Sequence, residues 1–191
     1  PSVAGTNGVA WDAVELPSQF LENFTWRPEV LGEMGRHYQT GEPLPRAKID
    51  TLNRSRTFLA GLGMLRQIEF ALFDFRLHDE YRPERGSRVQ EILDEVRREV
   101  AVVEPPAYNR FAHAFGHVFG GGYAAGYYSF KWAEVLPADA FAAFEEAGVF
   151  DRATADRFRR AVLATGGSRN ALDAFIEFRG RAPQLDALLK Q

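Results

Sequence analysis

Four polar side chains near the start of the chain, Asp12, Glu15, Gln19 and Glu22, follow one another at i, i+3, i+7 and i+10. That spacing lines them up along one face of a helix. Such a stripe can simply face water, or it can offer carboxylates to a cation or a metal ion. Two features of the surrounding sequence favour the second reading. Trp11, Phe20, Phe24 and Trp26 crowd the segment and suggest burial on more than one side, and a buried carboxylate needs a positive partner. Pro17 falls inside the helix read from Val9 to Phe24, where proline costs about 3 kcal/mol and is a poor choice for a plain surface helix.

A second group with chemical potential lies between residues 113 and 130. His113 and His117 have the i, i+4 spacing of two ligands on one helix, but position 114 is Ala where a zinc peptidase helix would carry its Glu base. Glycines at 116 and 120–122 also argue against a continuous helix, so the pair is not read as a metal motif. Gly120, Gly121 and Gly122 would let the backbone approach a bound ligand and hinge over it. Tyr123 and Tyr127 follow, and a phenol hydroxyl or an imidazolium can stabilise an oxyanion. The rival reading of Tyr123, Tyr127 and Phe130 is an aromatic stripe in a helix core.

Both segments resemble the thimet oligopeptidase and oligopeptidase A family of zinc metallopeptidases. Residues 9–23 (VAWDAVELPSQFLEN) are similar to the family's E-x-P-S-Q segment, matched at Glu15, Pro17, Ser18 and Gln19. Residues 115–136 (FGHVFGGGYAAGYYSFKWAEVL) are similar to its glycine-rich loop. The resemblance implies that Glu15 is the third zinc ligand, after two histidines of an H-E-x-x-H helix, and that Asp12 is the carboxylate orienting a ligating imidazole. It further implies that His117, Tyr123 and Tyr127 contact the peptide and its tetrahedral intermediate, with Gly120–Gly122 forming a mobile substrate loop within about 113–127. Phe130 departs from the pattern, since some members of the family carry tyrosine there. Residues 166–170 (GGSRN) and 175–189 resemble the closing helices and read as structural. The resemblance is strongest over 9–24 and 115–136 and rests mostly on pattern over 28–105.

No H-E-x-x-H occurs in the chain: its histidines are His37, His78, His113 and His117, and none is followed by Glu. The expectation is a C-terminal piece of a zinc-dependent endo-oligopeptidase, with the motif falling upstream of Pro1. Such a piece would neither hydrolyse peptides nor hold Zn2+ tightly, because affinity requires several ligands in fixed geometry. The alternative is a non-catalytic helical module that binds peptides or a partner protein and uses Glu15 in an ion pair.

The elements that position these groups are helical. Beyond 9–24, helices are expected over Pro28 to Tyr38, Lys48 to His78, Ser87 to Val103, Tyr123–Gly148, Thr154–Thr165, Ala171–Phe178 and Pro183–Lys190, with loops over residues 1–8 and 108–122. Residues 100–104 are the only β-like run. The fold class is mainly α, a single helical portion spanning 1–191, which the resemblance places in the C-terminal part of a zincin-type catalytic domain. The helix over 48–78 is apolar on several faces, which ordinarily means burial between neighbours. Its uncovered surface would make the isolated piece self-associate or only marginally stable.

Composition narrows the partners. In 191 residues, 46% are hydrophobic and 26% charged, enough apolar material for a core. A net charge of −3, from 23 basic and 26 acidic residues without a like-charged block, speaks against nucleic acid. No apolar run reaches the ~18 residues of a membrane span, and the opening residues are not read as a signal peptide. The absence of cysteine excludes disulfides and thiolate ligands and suggests a reducing compartment such as the cytoplasm. Short peptides are the expected substrates.

Overall fold

The computed structural model describes residues 7–190, which are mainly α-helical with no strand among them. They form two compact units. The first comprises the described residues up to Phe58 and those from Trp132 onward; the second is Leu59–Lys131.

In the first unit, α1 (Leu16–Phe24) packs on α9 (Val135–Ala147), against which α10 (Arg152–Phe158), α11 (Ala171–Arg179) and α12 (Asp186–Leu189) also pack. The core is aromatic and alanine-rich. Phe20 stacks on Phe158 with centroids 4.0 Å apart, and Phe24 meets Phe141 edge-on at 4.9 Å. Such pairs add about 0.5–1.5 kcal/mol to the burial itself. Ala138, Ala140 and Ala143 let neighbouring helices approach α9 closely, and all three are buried. A π-helical turn, Arg159–Leu163, continues α10. Two further helices, α2 (Pro28–Met34) and α3 (Arg46–Arg56), pack on each other.

In the second unit, α4 (Ala60–Asp79) packs on α5 (Val89–Val100). Val89, Ile92, Leu93, Val96 and Val100 recur at helical spacing and turn one apolar face of α5 inward; Ile92, Leu93 and Val96 are at most 1% exposed. Phe73 of α4 is fully buried among them. Truncating it to Ala would cost about 3–5 kcal/mol. Glu69, buried beside this core, is matched by two guanidinia: Arg97 Nε at 2.9 Å and Arg66 Nη1 at 2.8 Å. The short helices α6 (Phe111–Ala114) and α7 (Gly116–Phe119) complete the unit, and α8 (Ser129–Ala133) crosses its boundary in sequence.

Several elements differ from the expected ones. The helix read over 9–24 begins only at Leu16, with turns over 11–15. The helix expected over 48–78 is α3 and α4, separated at residues 57–59, where Leu59 turns left-handed (φ 56°). Residues 124–128 are turns rather than the start of a helix at Tyr123, and the loop read over 108–122 contains α6 and α7. The helix from Pro28 stops at Met34. The β-like run over 100–104 forms no strand, its first residue Val100 ending α5; the isolated bridge among the described residues is Arg36 with Pro43. Of the loop read over 1–8, residues 1–6 lie outside the described residues.

Candidate functional site

The candidate residues divide between the units. Asp12 and Glu15 belong to the first, and Gly120–Gly122, His117, Tyr123 and Tyr127 to the second.

Around Glu15 the chain descends through turns, with Ala13 N–H donating to Ala10 O at 2.9 Å and Leu16 N–H to Ala13 O at 3.0 Å. Glu15 is the residue at which α1 starts, its carbonyl accepting from Gln19 N–H at 3.0 Å. Pro17 therefore sits in the first helical turn, where no backbone donor is needed and its fixed φ suits the helix. The cost assigned to a mid-helix proline does not arise. Ser18 Oγ donates to both the Glu15 carbonyl (3.1 Å) and Glu15 Oε2 (2.6 Å), which fixes the carboxylate against the helix start. Buried Ala13 and Leu16 bracket Glu15, itself half-buried like Asp12. The E-x-P-S pattern thus has a local physical reason: proline starts the helix and serine orients the acid.

Asp12 lies in the turns, so the four-residue helical stripe is not one helix face. Gln19 and Glu22 of α1 instead line a cavity of about 320 Å³ with Trp26, Arg56 and Glu134. Arg56 lies over the Trp26 ring at 5.3 Å, and its burial pulls the guanidinium below its usual range, against the opposing pull of Glu145. A carboxylate held by a serine hydroxyl suits one oxygen ligand of a divalent ion. Among the described residues, however, no group of three or more His, Cys, Asp or Glu could hold a metal. These residues fit zinc as one ligand, not as a complete site.

In the second unit, His113 and His117 fall on separate short helices, α6 and α7, that break at Phe115. His117 is exposed and belongs to an aromatic cluster. Its ring meets Phe130 edge-on at 5.5 Å, Tyr127 at 5.7 Å and Tyr123 at 6.2 Å. Phe130 lies 4.6 Å from Tyr123 and 5.0 Å from Tyr127. The structure therefore brings His117, Tyr123 and Tyr127 together around Phe130. Tyr128 stacks on Phe75 instead and takes no part.

The glycines make this approach possible. A Cβ on Gly121 would stand 3.0 Å from His117 O and 3.1 Å from its Cα, and Gly122 has φ 84°. Tyr123 N–H then donates to His117 O at 3.0 Å, tying the first tyrosine to the histidine's backbone. The Tyr127 hydroxyl donates to Gln67 Oε1 at 3.0 Å. Burial raises the Tyr127 phenol above its ordinary value while Arg66 opposes the shift, so it stays a hydrogen-bond donor at neutral pH. Gln67 and Asp74 of α4, which hold this cluster, went unnoticed in the sequence because their partners lie more than fifty residues away.

Comparison with known proteins places these features in a family. The model of peptidase family M3 matches residues 1–191. The chain belongs to peptidase family M3. It is 55% identical over 188 residues to oligopeptidase A of Escherichia coli, covering 98% of this chain and 28% of that protein. It is 48% identical over 192 residues to a probable cytosolic oligopeptidase A of Arabidopsis thaliana, covering 98% of this chain and 27% of the relative. A dipeptidyl carboxypeptidase of E. coli is 34% identical over 197 residues, again with 28% of its length covered. The M3 chain described here thus spans little more than a quarter of these relatives, and no described helix is long and apolar enough to cross a membrane.

Proposed function

We propose that this chain is the C-terminal part of a zinc-dependent endo-oligopeptidase that cleaves internal bonds of short peptides. What carries the reading is the match to oligopeptidase A at 55% identity together with the clustering of His117, Tyr123 and Tyr127 behind three glycines. Glu15 supplies one carboxylate ligand beside two histidines of an H-E-x-x-H helix outside these 191 residues, and Asp12 orients one of those imidazoles. Zinc, when bound, polarises the scissile carbonyl and acidifies a water molecule.

The chain's own residues do the rest. Gly120–Gly122 let the backbone lie close along an extended peptide. His117 and Tyr123 donate hydrogen bonds to the carbonyl oxygen as negative charge grows on it. The Tyr127 phenol, kept protonated by burial and oriented by Gln67, supports the same oxygen. The substrate is a short peptide, and the compartment is the cytoplasm, in keeping with the cytosolic relative.

The test uses internally quenched peptides. The 191 residues alone are expected to leave them intact, and the enzyme bearing H-E-x-x-H to cleave them at internal bonds. Its Glu15→Gln variant is expected to lose zinc affinity by about 10–100-fold or more, the range typical even for groups that only support a ligand. Robust hydrolysis by the 191-residue chain, or unchanged zinc affinity on Glu15→Gln, would overturn the reading. Release of dipeptides alone would move the protein toward its 34%-identical relative.

A further inference from the structure

Asp74 is the most deeply placed acid of α4, 1% exposed, and its carboxylate is turned toward the glycine–tyrosine segment. Oδ1 accepts the Ala125 N–H and Oδ2 the Tyr127 N–H, each at 2.9 Å across more than fifty residues of sequence. His78, one turn further along α4, places Nδ1 3.0 Å from Oδ1 and 2.8 Å from the Asp74 carbonyl. Between these anchors, Ala125 holds φ 54°, a left-handed conformation unfavourable for a residue with a side chain. Gln67, two turns earlier than Asp74 on the same helix, accepts the Tyr127 hydroxyl. One helix therefore grips Tyr127 at both ends, its amide through Asp74 and its phenol through Gln67.

A buried carboxylate needs compensation, and here two backbone amides and an imidazole provide it. The groups that meet the carboxylate are backbone amides and an imidazole nitrogen rather than apolar side chains, so core packing alone does not require an acid at this position. What the acid does is set where the chain turns between Tyr123 and Tyr127. We propose that Asp74 is a positioning residue of the peptidase reaction, clamping the turn that presents Tyr123 and Tyr127 beside His117, with Gln67 as its counterpart on the phenol. The inference rests on the role given above to the tyrosines.

Two measurements separate the clamp from that role. Site-resolved amide hydrogen exchange on the 191-residue chain compares wild type with Asp74→Asn. Exchange at Ala125 and Tyr127 is expected to quicken about tenfold or more, as loss of a hydrogen bond to a charged group implies, while Ile92 and Val96 of α5 hold their rates. Unchanged exchange at the two amides, or a uniform increase throughout the unit, overturns the clamp. In the complete peptidase, Asp74→Asn is expected to lower kcat at least about tenfold with KM altered less than about threefold, the signature of lost transition-state interactions. A faster-exchanging variant with unchanged kcat overturns the positioning role.

If Asp74→Asn does not fold, Gln67→Leu, which removes only the phenol's acceptor at a half-buried position, serves instead. A fall in kcat at steady KM supports the inference and an unchanged kcat overturns it. Tyr127→Phe is the control for the underlying reading: an unchanged kcat there refutes the tyrosine's role whatever the exchange data show.

Discussion

Replacing Asp139 with alanine should destabilise the first unit by about 3 kcal/mol, near the lower end of the range for breaking a buried ion pair. Asp139 lies on α9, fully buried, and its carboxylate draws together the C-terminal stretch of the chain. Arg181 grips it with two nitrogens at 2.6 Å, Arg179 Nε stands at 3.2 Å, and Gln184 N–H donates at 2.8 Å. Removing the acid leaves the largely buried Arg179 with Glu146, at 3.1 Å, as its remaining carboxylate, while Arg181, about a third exposed, can turn to water. Those two outlets set the lower figure. All three tryptophans, Trp11, Trp26 and Trp132, lie in this unit, so urea unfolding followed by tryptophan fluorescence reports it selectively.

The pH dependence gives a second check. Burial alone would raise the Asp139 carboxyl, but Arg181, the Gln184 amide and Arg179 together hold it below its ordinary value. With the folded pKa below the unfolded one, the contribution is present above the unfolded value of about 3.9 and is lost as pH falls through the folded value. The deficit of Asp139→Ala should thus be full at neutral pH and shrink below about pH 4. A deficit under about 1 kcal/mol at neutral pH, or one that persists undiminished in acid, refutes the reasoning.

Two further outcomes are expected. Gly167→Ala would push a Cβ to 2.6 Å from Asn7 O and 2.7 Å from Gly8 C, both backbone atoms upstream of Asp12 and Glu15; the same fluorescence assay should show a loss of about 1–3 kcal/mol, and an unchanged midpoint would show that the segment yields freely. The 191-residue chain should self-associate at micromolar concentration, because Leu59 just before α4 and Met64, Ile68 and Phe75 along it are each at least 40% exposed. Sedimentation velocity should show species larger than monomer that diminish on Ile68→Glu, and a single monomeric boundary would count against it.

What could be read from the sequence, and what could not, follows from the range of the interactions. The helical class and the two chemically charged segments were legible because helix periodicity and the E-x-P-S and glycine–tyrosine patterns are local. The rival reading put Tyr123, Tyr127 and Phe130 on one face of a helix; their rings do meet, but through successive turns (Gly126 N–H to Tyr123 O at 2.9 Å, Phe130 N–H to Tyr127 O at 3.2 Å) rather than on a helix. Spacing alone does not distinguish the two, since a run of such turns advances the chain much as a helix does. The same ambiguity extended α1 back to Val9: Asp12 has the type and spacing of a helical residue, yet the hydrogen bonds over 11–15 close as turns, and Pro17 marks the helix start. The break between α3 and α4 was hidden because apolar residues continue straight through it, and Leu59, not a glycine, takes the left-handed conformation. Asp74 and Asp139 were beyond reach for a different reason. Each is an acid flanked on both sides by apolar residues, ordinary in local context, and its meaning resides in partners forty or more residues away. An acid between apolar neighbours where the helical period calls for a buried residue is therefore the signal to follow, since burial without such partners would not be stable.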